Sequence, residues 1–392
     1  MLRYITGASL SGYIKLMAIV KEFPGNHLKS ISSEVNKTVV ESLAQQWAKK
    51  YIGNLKVVPD NIEKIEILNL SEIVSPDGRK KTAQKVLDSL RSVSARAWNK
   101  TEGLLSKEIP QHGIDLNLIN PWEIAGDSFN IYQKALDVYT QQTTSQPLSL
   151  VRNLVDSENP LYEQALDVYT EQVAPSKLAT VIGGDIGKLR KKYTSNDPRV
   201  IGFVSMQFHY TSQMLIQSLE PIEQSLISTY FKVIDDHLYM PLQRAYEAAA
   251  NHDSDSVALS AVQKLLPIST QIAKRISQRV IELNPNYNSM SGALSNPIVK
   301  TSSIRDVEMF QIYLWVCTLE TSCGAIQQEL FPLCVMLYPR LKVQWEVVRQ
   351  MLHLLRQEIN ISLTSQEAET LMPYFQVLWD MFSPEVFAEL GL

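Results

Sequence analysis

Asp235-Asp236-His237-Leu238-Tyr239 is the densest grouping of side chains able to do chemistry in this 392-residue chain. Carboxylates a helical turn apart can chelate magnesium and hold a diphosphate, and a neighbouring imidazole can move a proton. The string stops short of that pattern. Its fifth position is Tyr239 and not an acid, and no Asn/Asp, Ser/Thr, Glu triplet follows at the required spacing. The plainer reading puts Asp235 and Asp236 on solvent or in ion pairs with Lys232 or Arg244. It leaves His237 at a helix edge and has Pro241 kink the helix just beyond. A second reading gathers His209, Tyr210, Asp235, Asp236, His237 and Tyr239 as the polar lining of a pocket inside a helical bundle.

Other reactive types are scattered. The six histidines form no i, i+4 pair and no His-Glu-x-x-His, and Cys317 and Cys323 lack zinc-ligand spacing, so neither a metal site nor a cofactor site is expected. Gly183-Gly184-Asp185-Ile186-Gly187-Lys188 has Ile182 and Leu189 where a phosphate loop needs Gly and Ser/Thr. It reads as a flexible turn opening a basic helix. No catalytic residue is therefore assigned. The basic helix carries Lys188, Arg190, Lys191 and Lys192, and a second cluster holds Arg79, Lys80, Lys81 and Lys85. Such runs are either solvated helix faces or contacts for nucleic acid, an anionic membrane surface or an acidic partner. Lys+Arg 37 against Asp+Glu 41, net charge -4, excludes a generally basic nucleic-acid binder.

The elements that would position these residues are helical, and the fold class expected is all-α: a multi-helix bundle with long central helices. Ile31, Val35, Val39, Leu43 and Trp47 make one ladder at a spacing of four, and Val86, Leu90, Val93 and Ala97 make another. Between them, Leu55, Val57, Val58, Ile65 and Ile67 around Pro59-Asp60-Asn61 suggest a small hairpin near 55–70. Val257 to Val280 forms one long stripe. Asp306 to Leu337, interrupted near Pro332, reads as a central buried helix. Irregular stretches are expected at 108–128, 174–199 and 284–303. Three regions follow: 1–107, an N-terminal helical region; 108–197, a linker with duplicated helices; and 198–392, a C-terminal bundle.

The duplication is an 11-residue match, Tyr132 to Gln142 recurring as Tyr162 to Gln172. It predicts two similar helices, about 129–143 and 159–173, packed side by side. The alternative makes Tyr132, Tyr139, Tyr162 and Tyr169 a partner-binding face. Cys317, Cys323 and Cys334 read as reduced, buried thiols of a cytoplasmic protein, and Cys317 and Cys334 are expected to be shielded in the native chain. Leu16 to Val20 is the longest apolar run near the N-terminus, too short for a signal-peptide core.

Residues 198–359 resemble uncharacterised all-helical proteins of cyanobacteria. The strings that carry the likeness are Pro198 to His209, Tyr230 to His237 and Ser303 to Phe310. The resemblance implies a cytosolic protein of a photosynthetic bacterium that meets thylakoid or phycobilisome components, and it implies no catalytic residue. The leading expectation is a non-enzymatic helical interaction protein, an adaptor, regulator or assembly factor with a protein partner or as an oligomer. The alternative is a small-molecule-binding or enzymatic bundle built on the pocket around His209 and Asp235–His237.

Overall fold

The computed structural model describes residues 33–55, 72–141 and 174–390. The hairpin expected near 55–70 and the second Tyr-rich helix, with Tyr162 and Tyr169, lie outside the described residues. The described fold is all-α, with a single two-stranded ribbon among the described residues. The chain divides after Glu247 into two compact units, 33–247 and 248–392. The sequence places its boundaries at 107 and 197 instead. Residues 198–247 share a core with the helices that precede them, which is why no division falls at 197.

The first unit contains α1 (Ser33–Leu55), α2 (Pro76–Leu105), α3 (Glu108–His112), α4 (Pro121–Gln141), α5 (Pro175–Thr194), α6 (Val200–Gln217) and α7 (Pro221–Tyr239), with α8 (Leu242–Ala250) running past its end. Helix α1 buries Leu43, Trp47 and Tyr51 and leaves Lys37, Gln45 and Lys49 outside, as the spacing of four requires. Helix α2 starts where Ser75 accepts the Gly78 N–H at 3.0 Å and Pro76 takes the first helical position. Its Val86, Leu90, Val93 and Ala97 are fully buried against α4 and α6. Helix α7 opens with a capping box of Glu220 and Glu223, preceding Pro221 at its first turn.

Two stretches read as irregular are helical. Residues 121–128 begin α4, and 175–194 form α5 despite Gly183, Gly184 and Gly187. These glycines are not a turn. A Cβ on Gly187 would stand 2.6 Å from Gln243 Cγ, and one on Gly183 would stand 2.9 Å from Gln243 Oε1. Glycine is used here for close helix approach, and the tertiary packing outweighs its poor helix propensity.

The second unit contains α9 (Val257–Leu265), α10 (Ser269–Leu283), β1 (Asn288–Ser289), β2 (Gly292–Ala293), α11 (Pro297–Glu320), α12 (Phe331–Arg340), α13 (Trp345–Ser362), α14 (Ser365–Met381) and α15 (Pro384–Leu390). The single stripe from Val257 to Val280 is two helices, because a 3₁₀ turn at Leu266–Ile268 accommodates Pro267. The stretch 284–303 is irregular as far as Asn296 apart from a short ribbon, in which β1 pairs with β2 through Asn288–Ala293 and Ser289–Gly292, and α11 begins at Pro297.

Helix α11 is the centre of this unit. Every residue from Val307 to Leu319 is buried, so it is wrapped on all sides, by α9, α10, α13 and α14. It ends at Thr321, left-handed at φ 50°, whose N–H reaches the Cys317 carbonyl. A π-helical turn, Ala325–Leu330, then leads into α12. The interruption therefore lies at 321–323 and not at Pro332, which follows the π turn inside an unbroken helical run. Cys317 and Cys334 are buried, and Cys323, just past the break, is half-buried.

Candidate functional site

Helix α7 carries the Asp-Asp-His string, and its neighbours decide what the string can do. Consecutive helical side chains are about 100° apart, so three in a row face three directions. Asp235 faces α6, where His209 Nδ1 donates to its Oδ2 at 3.1 Å. Asp236 faces α1. The Tyr51 hydroxyl donates to its Oδ2 at 2.8 Å, Lys50 Nζ lies 3.3 Å from that oxygen, and Lys232 Nζ is 2.5 Å from Oδ1. His237 faces α5 and α8, with its ring edge-on to Tyr246 at 6.1 Å and beside Gly183. The six residues read as one pocket lining are therefore dispersed: His209 pairs with Asp235 and lies with its ring 5.7 Å from that of Tyr210, while Asp236 and His237 turn to other helices.

The electrostatics follow from burial. Asp236 has no exposed surface. Desolvation alone would raise its carboxyl, but Lys232 and Lys50, with the Tyr51 hydroxyl, reverse that and hold it well below the usual carboxylate range. The sequence reading that left Asp236 on solvent is corrected here, while its pairing with Lys232 is observed. His237 is likewise not at an edge but fully buried. Burial depresses its imidazole to about 4, against the weaker opposing pull of the Val233 carbonyl and Asp236. Its Nδ1–H donates to the Val233 carbonyl at 2.8 Å, which leaves Nε2 as an acceptor with no hydrogen-bond partner among the described residues. His209 is a third exposed, and Tyr210 beside it lies under Lys100, whose Nζ is 4.2 Å from the ring centre. Tyr239 is half-buried.

Tyr132 and Tyr139 belong to the core of the first unit and do not form a surface. Both are fully buried. Tyr132 packs between Phe208 and Phe231 and donates to the Phe208 carbonyl at 2.9 Å, and Tyr139 sits edge-on to Tyr230 at 5.3 Å. The Tyr–x₃–Leu–x₂–Tyr spacing that suggested a binding face is the spacing of a buried stripe.

The basic helix is α5, and its charge is largely used within the unit. Arg190 is buried and donates to the Leu238 carbonyl. Lys192 bridges Glu123 and Asp127, each at 2.7 Å. Lys188 lies 3.8 Å from Asp185, which also pairs with Lys134, and Lys191 is exposed. Together Asp127, Asn130, Lys134, Asp185, Lys188 and Lys192 line an open surface groove of about 330 Å³ with alternating charge. In the other cluster Arg79 is buried, bonded to the Val74 and Tyr139 carbonyls, and Lys85 is paired with Glu223 at 2.9 Å. Neither cluster presents a continuous cationic face to a polyanion.

Among the described residues no group of three or more His, Cys, Asp or Glu is arranged to hold a metal ion, and no helix is long and apolar enough to cross a membrane. Sequence reasoning missed Lys50 and Tyr51 as partners of Asp236; a lysine–tyrosine pair at the end of an amphipathic ladder gives no signal of a carboxylate 185 residues away. Residues 213–381, less than half of the chain, match a family model described as phycobilisome protein. The matched stretch runs from within α6 to the last residue of α14. No curated protein and no solved structure matches the chain. The C-terminal part of the chain, including the Asp-Asp-His string and the buried helix α11, is thus similar to phycobilisome proteins.

Proposed function

We propose that the chain is a non-enzymatic helical interaction protein of the photosynthetic light-harvesting apparatus, an adaptor, regulator or assembly factor that binds other phycobilisome proteins on the cytoplasmic side. The observation that carries this reading is the similarity of residues 213–381 to phycobilisome proteins. The site geometry is in keeping with it. Asp236 and Arg190 use their charge to hold helices of the first unit together. His237 is sealed behind Gly183, Gln243 and Tyr246, so the residues that looked chemical serve packing. The small-molecule reading retains one feature, the part-exposed His209–Asp235 pair, with no shared cavity described beside it.

The test is direct. Purified full-length chain is immobilised and exposed to phycobilisomes dissociated in low salt. Selective retention of particular phycobilisome proteins, unchanged by His209→Ala, is expected. Passage of every component through the column would overturn the reading.

A further inference from the structure

We propose that one end of the second unit, built by residues 283–298 and the corner at 340–342, docks on an anionic lipid surface. The inference is independent of the partner reading above and concerns a different part of the molecule from α5.

The placement follows from the packing of α10 against α11. Gln311 Nε2 donates to the Ser269 carbonyl at 3.1 Å, and Thr270 donates to Glu308 at 2.5 Å, so the two helices run antiparallel from that level. From Ser269 to Leu283, and from Gln311 back to Ile298, each helix travels about 20 Å in the same direction. Leu283 and Ile298 therefore emerge at the same end, joined by the hairpin that carries Met290 at its turn. All three are exposed: Leu283 49%, Met290 49% and Ile298 66%. They make up three of the seven exposed large hydrophobic residues described, drawn from a 16-residue connection.

The connection is held firmly. Met290 N–H donates to the Leu341 carbonyl at 3.0 Å, the Tyr287 hydroxyl donates to the Lys342 carbonyl at 2.9 Å, and Asn284 donates to Gln350 at 2.6 Å. The apolar side chains are thus presented on a braced support and lose little freedom on docking.

Charge selects the occupant. In a chain of net charge -4, no Asp or Glu occurs from Asn284 to Arg305 or from Phe331 to Trp345. Lys300 and Lys342 stand at this end with no ion pair among the described residues, unlike Lys85, Lys134 and Lys192 of the first unit. Arg279 is offset by Glu282 at 3.0 Å, and Glu346 is the other acid nearby. Apolar side chains at two helix ends and a hairpin turn, with Lys300 and Lys342 and many Asn and Ser at this end and no acid from 284 to 305, match an interfacial anchor: the apolar tips enter the headgroup region while lysines meet lipid phosphates. A second copy meeting this end through its own would bring like charges together, which disfavours self-association here.

The experiment is flotation of the full-length chain with vesicles of phosphatidylcholine alone and of phosphatidylcholine with phosphatidylglycerol. Expected is binding to the anionic vesicles only, weakened as salt is raised from 50 to 500 mM, as screening requires. Met290→Asp with Ile298→Asp, and separately Lys300→Glu with Lys342→Glu, should each reduce binding at least tenfold. Lys188→Glu with Lys191→Glu should leave it unchanged. Met290, Ile298 and Lys342 are exposed and Lys300 is half-buried, and unaltered thermal melts identify folded protein. Absence of binding to anionic vesicles overturns the proposal, as does binding that survives the tip variants but is lost in the Lys188/Lys191 variant. Retention on an acidic polypeptide column without vesicle binding, lost in the Lys300/Lys342 variant, assigns this end to an acidic protein and also overturns it.

Discussion

His237→Phe should flatten the acid dependence of stability between pH 6.5 and pH 4. In the folded chain the imidazole is fully buried and titrates at about 4. In the unfolded chain it titrates near its ordinary value of about 6.5. Below pH 6.5 the unfolded chain takes a proton that the folded chain refuses. The unfolded state then binds more protons, so stability falls as pH falls through this window and levels off below about 4. At about 1.4 kcal/mol for each pH unit separating the two titrations, the loss amounts to about 3 kcal/mol. Phenylalanine has a similar shape, keeps the edge-on contact with Tyr246, and gives up only the Nδ1–H bond to a carbonyl already inside α7. The assay is urea unfolding at pH 7.5 and pH 5.0, followed by circular dichroism, on wild type and variant. The wild type should lose about 2 kcal/mol more than the variant between the two pH values. An identical loss in both proteins would refute the argument, because it would mean that His237 accepts a proton in the folded state and is not sealed as described.

Three further outcomes test the packing. Gly184→Ala, where an added Cβ meets nothing within 4 Å, should stabilise the chain by about 0.5–1 kcal/mol, whereas Gly187→Ala, pressed against Gln243, should destabilise it by about 1–3 kcal/mol; equal effects in thermal melts would place α5 away from α8. Asp236→Asn should cost about 3 kcal/mol, at the low end for breaking a buried ion pair, because Lys50 and Lys232 are 14% and 29% exposed and can turn toward water. A change within about 0.5 kcal/mol in a denaturant titration would put this carboxylate in solvent. A bulky thiol reagent should label Cys323 alone in the native chain and reach Cys317 and Cys334 only after denaturant, since those two thiols are sealed and burial raises Cys334 far above its ordinary value. Labelling of all three at once would open one side of α11.

Helical periodicity made the fold class legible, and the ladder through Leu43 and Trp47, the stripe from Val86 to Ala97 and the all-round apolar α11 lie where their spacing put them. Breaks were harder to read. Gly183 and Gly187 punctuate like a turn in isolation, yet the demand for a close helix crossing at Gln243 keeps them helical. Pro267 ends a helix without disturbing the apolar period on either side of it, so the stripe looked continuous. Thr321 breaks α11 by adopting a left-handed conformation that no single residue type announces. The site residues were misread for a related reason. Adjacency in sequence suggested that Asp235, Asp236 and His237 act together, but on a helix adjacency separates side chains, and their partners at His209, Lys50 and Tyr246 come from other helices.

Sedimentation velocity of the purified chain mixed with purified phycobilisome proteins tests the central proposal most directly. The account predicts a boundary heavier than either component alone, containing both. Independent sedimentation of the chain and of every phycobilisome protein, at concentrations tenfold above those in the cell, would contradict it.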